Sequence, residues 1–401
     1  LEADVLVVGA GPAGSAVAAF LARAGRRVVV VDRDTFPREK PCSEYMSPAT
    51  VRVLNRLGAG RLLRERGAVA LHGTHVRTAS GALHGRFAPS VREPFPEAGL
   101  AIARRDLDAT LVRQARAAGA TVLEATQLGD LLRDDAGRVI GAHVAGPEGP
   151  LTVRAPLTIG ADGLRSRVAR SVGGRVHGRP RRYAFVAHVR GVPGLGDAAE
   201  MHVGPDGYVG LNPIGADVAN VALVVPERVA QEARGRLEPF FLERLRTFPG
   251  VAGRVAGDGI VRAVLATGPF AAWSSRVTTP GALLVGDAAD FFDPFTGEGI
   301  CSALRGAELA AETVGDALDA GPARLDAALR DYRWARRRAF AGKWAVERLI
   351  GWAMEWPALF DHAVARIGRR GGMADTLIGV TGDLVPARRV LNPYFLARMV
   401  V

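Results

Sequence analysis

Two cysteines, Cys42 and Cys301, are all that 401 residues contain. So few exclude a disulfide framework, and with no cysteine–histidine cluster they leave no basis for a structural metal site. Lysine is almost missing as well: of 52 basic residues only Lys40 and Lys343 are lysine, and the rest are arginine. No stretch approaches the ~18 uncharged apolar residues that a transmembrane helix needs, so no integral membrane segment is expected. No signal-peptide pattern precedes the first strand-like run, from which a cytoplasmic protein is expected. Composition is otherwise ordinary, 48% hydrophobic and 23% charged, which excludes a disordered or collagen-like chain. The length allows two or three domains with a large core.

The net charge of +11 is spread along the chain, with one cluster at Arg333, Arg336, Arg337 and Arg338. Such a balance suits an anionic partner. No nucleic-acid motif accompanies it, so the arginines read as a solvated surface and no nucleic-acid partner is expected.

The N-terminus carries the first chemistry. Asp4 to Val8 is a short β-rich run, followed at once by Gly9-Ala-Gly-Pro-Ala-Gly14. Ala16, Val17, Phe20 and Leu21 then recur at helical spacing, and a second run, Val28 to Val31, ends in Asp32 and Arg33. Strand, glycine turn, helix, strand and acid in this order form a dinucleotide-binding fingerprint. Gly9 allows the tight turn, Gly11 lets the backbone approach a pyrophosphate, and Gly14 lets the helix pack on the strand. Pro12 and Ala13 open the helix, whose free N–H groups suit phosphate. Asp32, 18 residues after Gly14, is placed for a ribose diol. The fingerprint alone leaves NAD and FAD both open. Gly58-Ala-Gly60 follows no strand, so there is no second fingerprint, and NAD(P)H would dock only transiently.

Three later segments choose FAD. They are Ala101 to Leu111 with Arg104, Gly160-Ala-Asp-Gly-Leu-Arg-Ser166 with Asp162, and Ala282 to Cys301 with Gly286-Asp287 and Thr296-Gly-Glu-Gly-Ile300. With these the chain resembles the FAD-dependent oxidoreductases built like the aromatic hydroxylases, closest to the geranylgeranyl reductase and flavin-dependent halogenase group. The resemblance covers nearly the whole chain. It implies FAD contacts at Gly9, Gly11, Pro12, Ala13, Gly14, Asp32, Arg33, Arg104, Asp162, Gly286, Asp287, Gly297, Gly299 and Ile300. Gly297 and Gly299 would let the backbone lie against a flat ring, with a helix N-terminus behind it. Glu298 is either an acid beside that ring or a solvent-exposed loop carboxylate.

It also implies an α/β fold: a Rossmann-like FAD-binding domain with an inserted mixed β-sheet substrate domain and a helical C-terminal region. The expected division is 1–75, 101–175 and 276–330 for FAD, 76–100 and 176–275 for substrate, and 331–401 for the tail. Between residues 181 and 265, Tyr183–Val189, Tyr208–Leu211, Val218–Val225 and Ile260–Leu265 read as strands, and Gln231 to Phe248 as a helix. The reductases carry an aromatic Y-x-W-x-F-P run in that sheet. Here it is Tyr208-Val-Gly-Leu-Asn-Pro213, which should widen the cavity and add a polar group. Tyr208, Asn212 and Pro213 are the substrate-binding candidates. The halogenases need a W-x-W-x-I-P run, and neither lysine sits in a matching motif, so halogenation is discounted.

Lys40 to Pro48 resembles the loop beside the flavin. Its Cys42, Glu44 and Tyr45 are the candidates for catalysis or substrate contact; Cys42 is either a reactive thiol or a small packed side chain. His188 and His202 read as wall residues. In the tail, breaks are expected at Pro357, Gly371-Gly372 and Pro386. Trp344, Trp352 and Trp356 read as a helix face packed on the FAD domain, with a peripheral membrane contact as the other reading.

The leading expectation is an NAD(P)H-dependent flavin monooxygenase, a hydroxylase or epoxidase using O2 on a hydrophobic polyketide, aromatic or isoprenoid metabolite of secondary metabolism. The first alternative is an FAD-dependent reductase or dehydrogenase of a prenyl lipid or quinone, without oxygen transfer. The second is a non-catalytic FAD- or metabolite-binding protein.

Overall fold

The protein is described by a computed structural model covering residues 1–87 and 96–400. Its first sheet has the strand order Thr278–Thr279, Ala282–Leu284, Leu157–Gly160, Val5–Val8, Val28–Val31, Thr121–Leu123. Every pairing is parallel except the short edge pair. Val5 aligns with Leu157 on one side and Val28 on the other. Both faces are covered, which is why these strands are unbroken runs of valine and leucine. Val5, Val7, Val28 and Val30 pack under the helices Pro12–Arg23, Arg104–Ala117 and Gly299–Val314. Leu6, Val8, Val29 and Val31 pack on a three-stranded sheet of Gln127–Arg133, Val139–Gly146 and Gly149–Arg154.

Four motifs follow the C-terminal ends of four adjacent parallel strands: Gly9, Asp32, Asp162 and Gly286. That is how residues up to 277 positions apart in sequence reach one crevice, the place where open α/β sheets bind ligands.

A seven-stranded roof lies over this crevice, in the order Ile260–Thr267, Arg182–Arg190, Val218–Pro226, Gly207–Pro213, Ala199–Gly204, Gly73–Arg77, Ala82–Arg86. It is mixed, because Ala199–Gly204 and Gly73–Arg77 run parallel. The roof takes Gly73–Arg77 whole, so a domain boundary at residue 75 would cut a strand. Part of the expected substrate segment 76–100 lies outside the described residues. Side chains alternate with the pleat. Phe185, Ala187, Val209, Leu211, Val221 and Leu223 face outward onto the helix Leu237–Leu245. Ala184, Val186, Tyr208, Ala222 and Val224 face inward.

The continuous helix expected from Gln231 to Phe248 is broken. A short helix Glu227–Ala230 and a 3-10 turn Gln231–Ala233 precede Leu237–Leu245. Gly235, at φ 73°, is the cause, since a left-handed residue ends the helical path.

The tail begins with the 32-residue helix Pro322–Ala353. Helices Pro357–Gly368, Gly371–Thr381 and Pro393–Val400 follow, with breaks at the proline and glycine positions expected from sequence. The long helix is pinned to the first sheet by Tyr332, whose hydroxyl donates to the Leu284 carbonyl at 2.9 Å. Arg336, the one buried member of the arginine cluster, pairs with Asp290. Among the described residues no helix is long and apolar enough to cross a membrane.

Candidate active site

Gly9 has φ 100°, and an added Cβ there would sit 2.5 Å from the Ala161 carbonyl oxygen. At Gly14 a Cβ would meet the Gly9 oxygen at 1.8 Å. Both glycines are therefore demanded by backbone packing. Gly11 differs, because a Cβ there would meet only Arg38 Nη2, at 3.4 Å. It caps helix Pro12–Arg23 without a side-chain acceptor, which leaves the first N–H groups at Ala13 and Gly14 open to a ligand. Asp32, almost fully buried, accepts from Ala10 N–H at 2.6 Å and Asp34 N–H at 2.9 Å. Gly286 lies against the same helix start, its would-be Cβ 3.0 Å from Ala13.

Basic groups crowd this cradle. Arg104 grips Asp108 with two 2.9 Å hydrogen bonds, and Arg38 lies 3.4 Å from the same carboxylate. Burial pushes the Lys40 ammonium pKa down, and Arg38, Arg104 and Arg33 push it further. Burial pushes the Asp287 carboxyl up, against the pull of Arg104, Arg175 and Lys40. Cations gathered beside an uncapped helix N-terminus and an open glycine form a cradle whose chemistry fits a pyrophosphate. Arg33 itself is mostly exposed, 3.7 Å from Asp34 at the rim. Asp162 turns toward Ser166 and toward the N–H groups of Arg167 (2.6 Å) and Val168 (3.2 Å). It thus caps a short helix and orders the turn against Gly9.

The loop Thr296–Ile300 closes the other end. Gly297, at φ 70°, packs on Tyr45, and a Cβ would touch that ring at 2.7 Å. Gly299 packs on Phe291, and Ile300 is in the core. Helix Gly299–Val314 starts at Glu298 with no side-chain cap, so its N–H groups are also open. Glu298 is not an exposed loop carboxylate: it is 2% exposed, with Oε2 3.3 Å from Ser47 Oγ and 3.2 Å from Lys343 Nζ. Its Oε1 has no hydrogen-bond partner within 3.5 Å among the described residues. Burial raises its pKa and Lys343 opposes the rise.

The three candidates on the Lys40–Pro48 loop separate. Glu44 is fully buried and, at φ 58°, in the left-handed region. It accepts from Arg104 N–H at 2.7 Å and from Asn220 Nδ2 at 2.9 Å, and its Oε2 lies 2.8 Å from His188 Nε2. With its oxygens so engaged, it joins the loop to the roof. Tyr45 is packed against Gly297 and Phe87, its hydroxyl kept protonated by burial. Cys42 is half-buried, its sulfur accepting the Glu44 N–H at 3.3 Å. Burial pushes its thiol up, despite Arg104, which disfavours a thiolate and leaves a neutral proton donor.

On the roof, Tyr208 donates to Asp293 at 2.7 Å and sets its ring edge against Phe295. Asn212 is buried with Nδ2 unpartnered, and Pro213 is half-buried at the strand end. Met201 Sδ lies 3.3 Å from a would-be Cβ at Gly210, so this thioether occupies part of the space beside the glycine. Strand register aligns Arg262 with His188, His188 with Asn220, and Asn220 with Asn212. This row crosses four strands and keeps orphaned polar atoms at Arg262 Nη2, Asn220 Oδ1 and Asn212 Nδ2. Sequence reading missed Arg38, Asn220 and Arg262, since only pairing register brings the roof residues into line. His202 belongs elsewhere, in an ion-pair cluster with Glu200 and Arg254.

Comparison with known proteins agrees with this geometry. The family described as FAD binding domain matches residues 2–342. The chain is 34% identical to menaquinone reductase of Mycobacterium tuberculosis over 329 residues, 78% of this chain and 76% of that one. It is 30% identical to digeranylgeranylglycerophospholipid reductase of Methanothrix thermoacetophila over 345 residues, 83% of each. Among solved structures, the flavin-dependent brominase Bmp2 superposes with a TM-score of 0.82 at 19% identity, covering 95% of this chain and 94% of that one. The myxobacterial chondrochloren halogenase CndH gives 0.79 at 21% identity, covering 100% and 95%. These two share the fold. The chain belongs to the FAD binding domain family and is an FAD-dependent oxidoreductase.

Proposed function

We propose that this oxidoreductase is a reductase that saturates a carbon–carbon double bond in the prenyl chain of a lipid or quinone. The observation that carries the reading is the similarity to menaquinone reductase across 78% of the chain. It favours the first alternative drawn from sequence over oxygen transfer, for which the structural neighbours offer only a shared fold.

Gly9–Gly14, Asp32, Arg38, Lys40, Arg104, Asp287 and Gly297–Ile300 would hold FAD. Bound there, FAD supplies two-electron redox chemistry, with NAD(P)H as the transient donor. The remaining work falls to the chain itself. Saturation places a hydride on one carbon and a proton on the other, and the protonated Cys42 thiol is the group that holds such a proton. The inward face of the roof, with Ala184, Val186, Ala222 and Val224, offers small apolar side chains to an isoprenoid and excludes water. Asn212 Nδ2 supplies one unmatched donor for an oxygen-bearing head.

The test is to reduce the FAD-loaded enzyme without air and mix it with a menaquinone or a geranylgeranyl lipid. Reoxidation of the flavin with product heavier by two hydrogens supports the reading. In a parallel run admitting labelled O2 to the reduced enzyme and substrate, a product carrying that label replaces the reading with oxygen transfer. A flavin that NAD(P)H cannot bleach, together with no product, points to the non-catalytic alternative.

A further inference from the structure

Three of the four tail tryptophans, Trp344, Trp352 and Trp356, recur at eight- and four-residue intervals but do not share an environment; the fourth, Trp334, is exposed beside the arginine cluster. Trp344 packs edge-on against Phe292 at 6.3 Å and beside Phe340 at 6.2 Å. Trp352, in the last turn of the long helix, and Trp356, at the N-cap of the next, are 55% and 59% exposed. An indole left in water forgoes a large hydrophobic gain, so two together call for a partner.

Trp352 stands on the lip of an open cavity of about 710 Å3, between the roof edge at Arg179–Arg182 and the long tail helix. Trp273 and Phe292 line its wall. Arg182 spans its base, reaching Asp293 at 2.6 Å and Glu355 at 2.7 Å. Arg181 is paired with Glu227 at 3.1 Å. Arg179 and Arg348 have no carboxylate partner among the described residues; the Arg348 guanidinium lies 4.5 Å over the Phe292 ring. Glu347, in the same wall, is pushed up to about 7 by burial, so at neutral pH it offsets these arginines only in part. The mouth thus combines the exposed indole of Trp352 with two guanidinium groups that lack a carboxylate partner among the described residues, and a second exposed indole, Trp356, follows four residues on.

We propose that this mouth is the face the protein lays against an anionic lipid bilayer. Trp352 and Trp356 sit at the headgroup level, and Arg179 and Arg348 meet the lipid phosphates. Indoles favour that depth because one edge is apolar and the other carries an N–H. The guanidinium fork matches phosphate oxygens. The attachment is peripheral, since the tail helix keeps Tyr332, Arg336 and Lys343 inside the protein. Docking stands on the exposed indoles and arginines alone. Only its use, passing a prenyl substrate from the bilayer into the cavity, rests on the reductase reading.

The experiment is co-sedimentation of the FAD-loaded full chain with vesicles of phosphatidylcholine alone, or of phosphatidylcholine mixed with phosphatidylglycerol. The expected result is partition onto the mixed vesicles, reversed by salt and accompanied by a blue shift of tryptophan fluorescence. Arg179→Gln should weaken it about fivefold. The double variant Trp352→Ala/Trp356→Ala should weaken it on the order of tenfold and remove the blue shift. FAD content and melting temperature matching the parent show that each variant is folded. Equal partition onto both vesicle types, or undiminished binding by the folded double variant, overturns the proposal. No turnover enters this assay, so an enzyme that reduces no prenyl substrate would leave the docking result standing, and the converse holds.

Discussion

Asn220 donates from Nδ2 to Glu44 Oε2 and to the Cys42 carbonyl, each at 2.9 Å, so one roof side chain fastens the loop that carries the candidate proton donor. The same carboxylate receives the Arg104 N–H. Glu44 holds this position at a positive φ that costs a non-glycine residue about 1 kcal/mol, which its buried bonds must offset. Glu44→Gln turns an amide donor toward Asn220, itself a donor. It should destabilise the protein by about 2 to 4 kcal/mol and weaken FAD binding. Denaturant unfolding and flavin titration measure the two effects; full stability in the variant would remove Glu44 as the junction.

The glycine cradle separates packing from ligand contact. Gly14→Ala places a Cβ 1.8 Å from the Gly9 oxygen and should prevent correct folding of the N-terminal unit. Gly11→Ala meets only the end of a flexible arginine and should fold normally, yet lose FAD, since the new methyl occupies the approach to the pyrophosphate. Circular dichroism and flavin absorbance of the two variants distinguish these outcomes.

Cys42→Ala should leave reduction of the enzyme by NAD(P)H unchanged and slow its reoxidation by prenyl substrate on the order of a hundredfold. Cys42→Ser, with a hydroxyl in place of the thiol, should restore part of the rate. Stopped-flow measurement of both half-reactions makes the comparison. If neither changes, the proton comes from another group.

Glu347 gives a stability change with a definite sign. Its folded pKa is pushed up to about 7 by burial. Below the ordinary carboxylate range both folded and unfolded chains keep the proton, and no penalty exists. As pH rises toward 7 the unfolded chain releases it first, so stability falls, and above 7 the penalty is complete. Because Glu347 borders an open cavity, solvent screening limits that penalty to about 1 to 3 kcal/mol. Glu347→Gln should melt above the parent near pH 8 and level with it near pH 4. Equal melting at both pH values would show that the carboxyl titrates normally.

Much of the cofactor side was legible before any coordinates, because its information is local. A left-handed turn at Gly9, an uncapped helix start at Gly11 and an acid closing the next strand are backbone requirements satisfied within about 25 residues. Tail breaks at Pro357 and Gly371 were legible for the same reason. The broken helix after Gln231 shows the limit, since an apolar pattern continued past Gly235 while the backbone could not.

What tertiary structure alone decided is the environment of each side chain. Sequence could not tell that Glu298 is buried against Lys343, or that Trp344 is packed while Trp352 and Trp356 are exposed. Nor could it tell that Arg262, His188, Asn220 and Asn212 form one row. Local spacing determines which face of an element a residue occupies. What that face meets depends on register and docking between segments far apart in the chain, and therefore on the free energy of the whole packed arrangement.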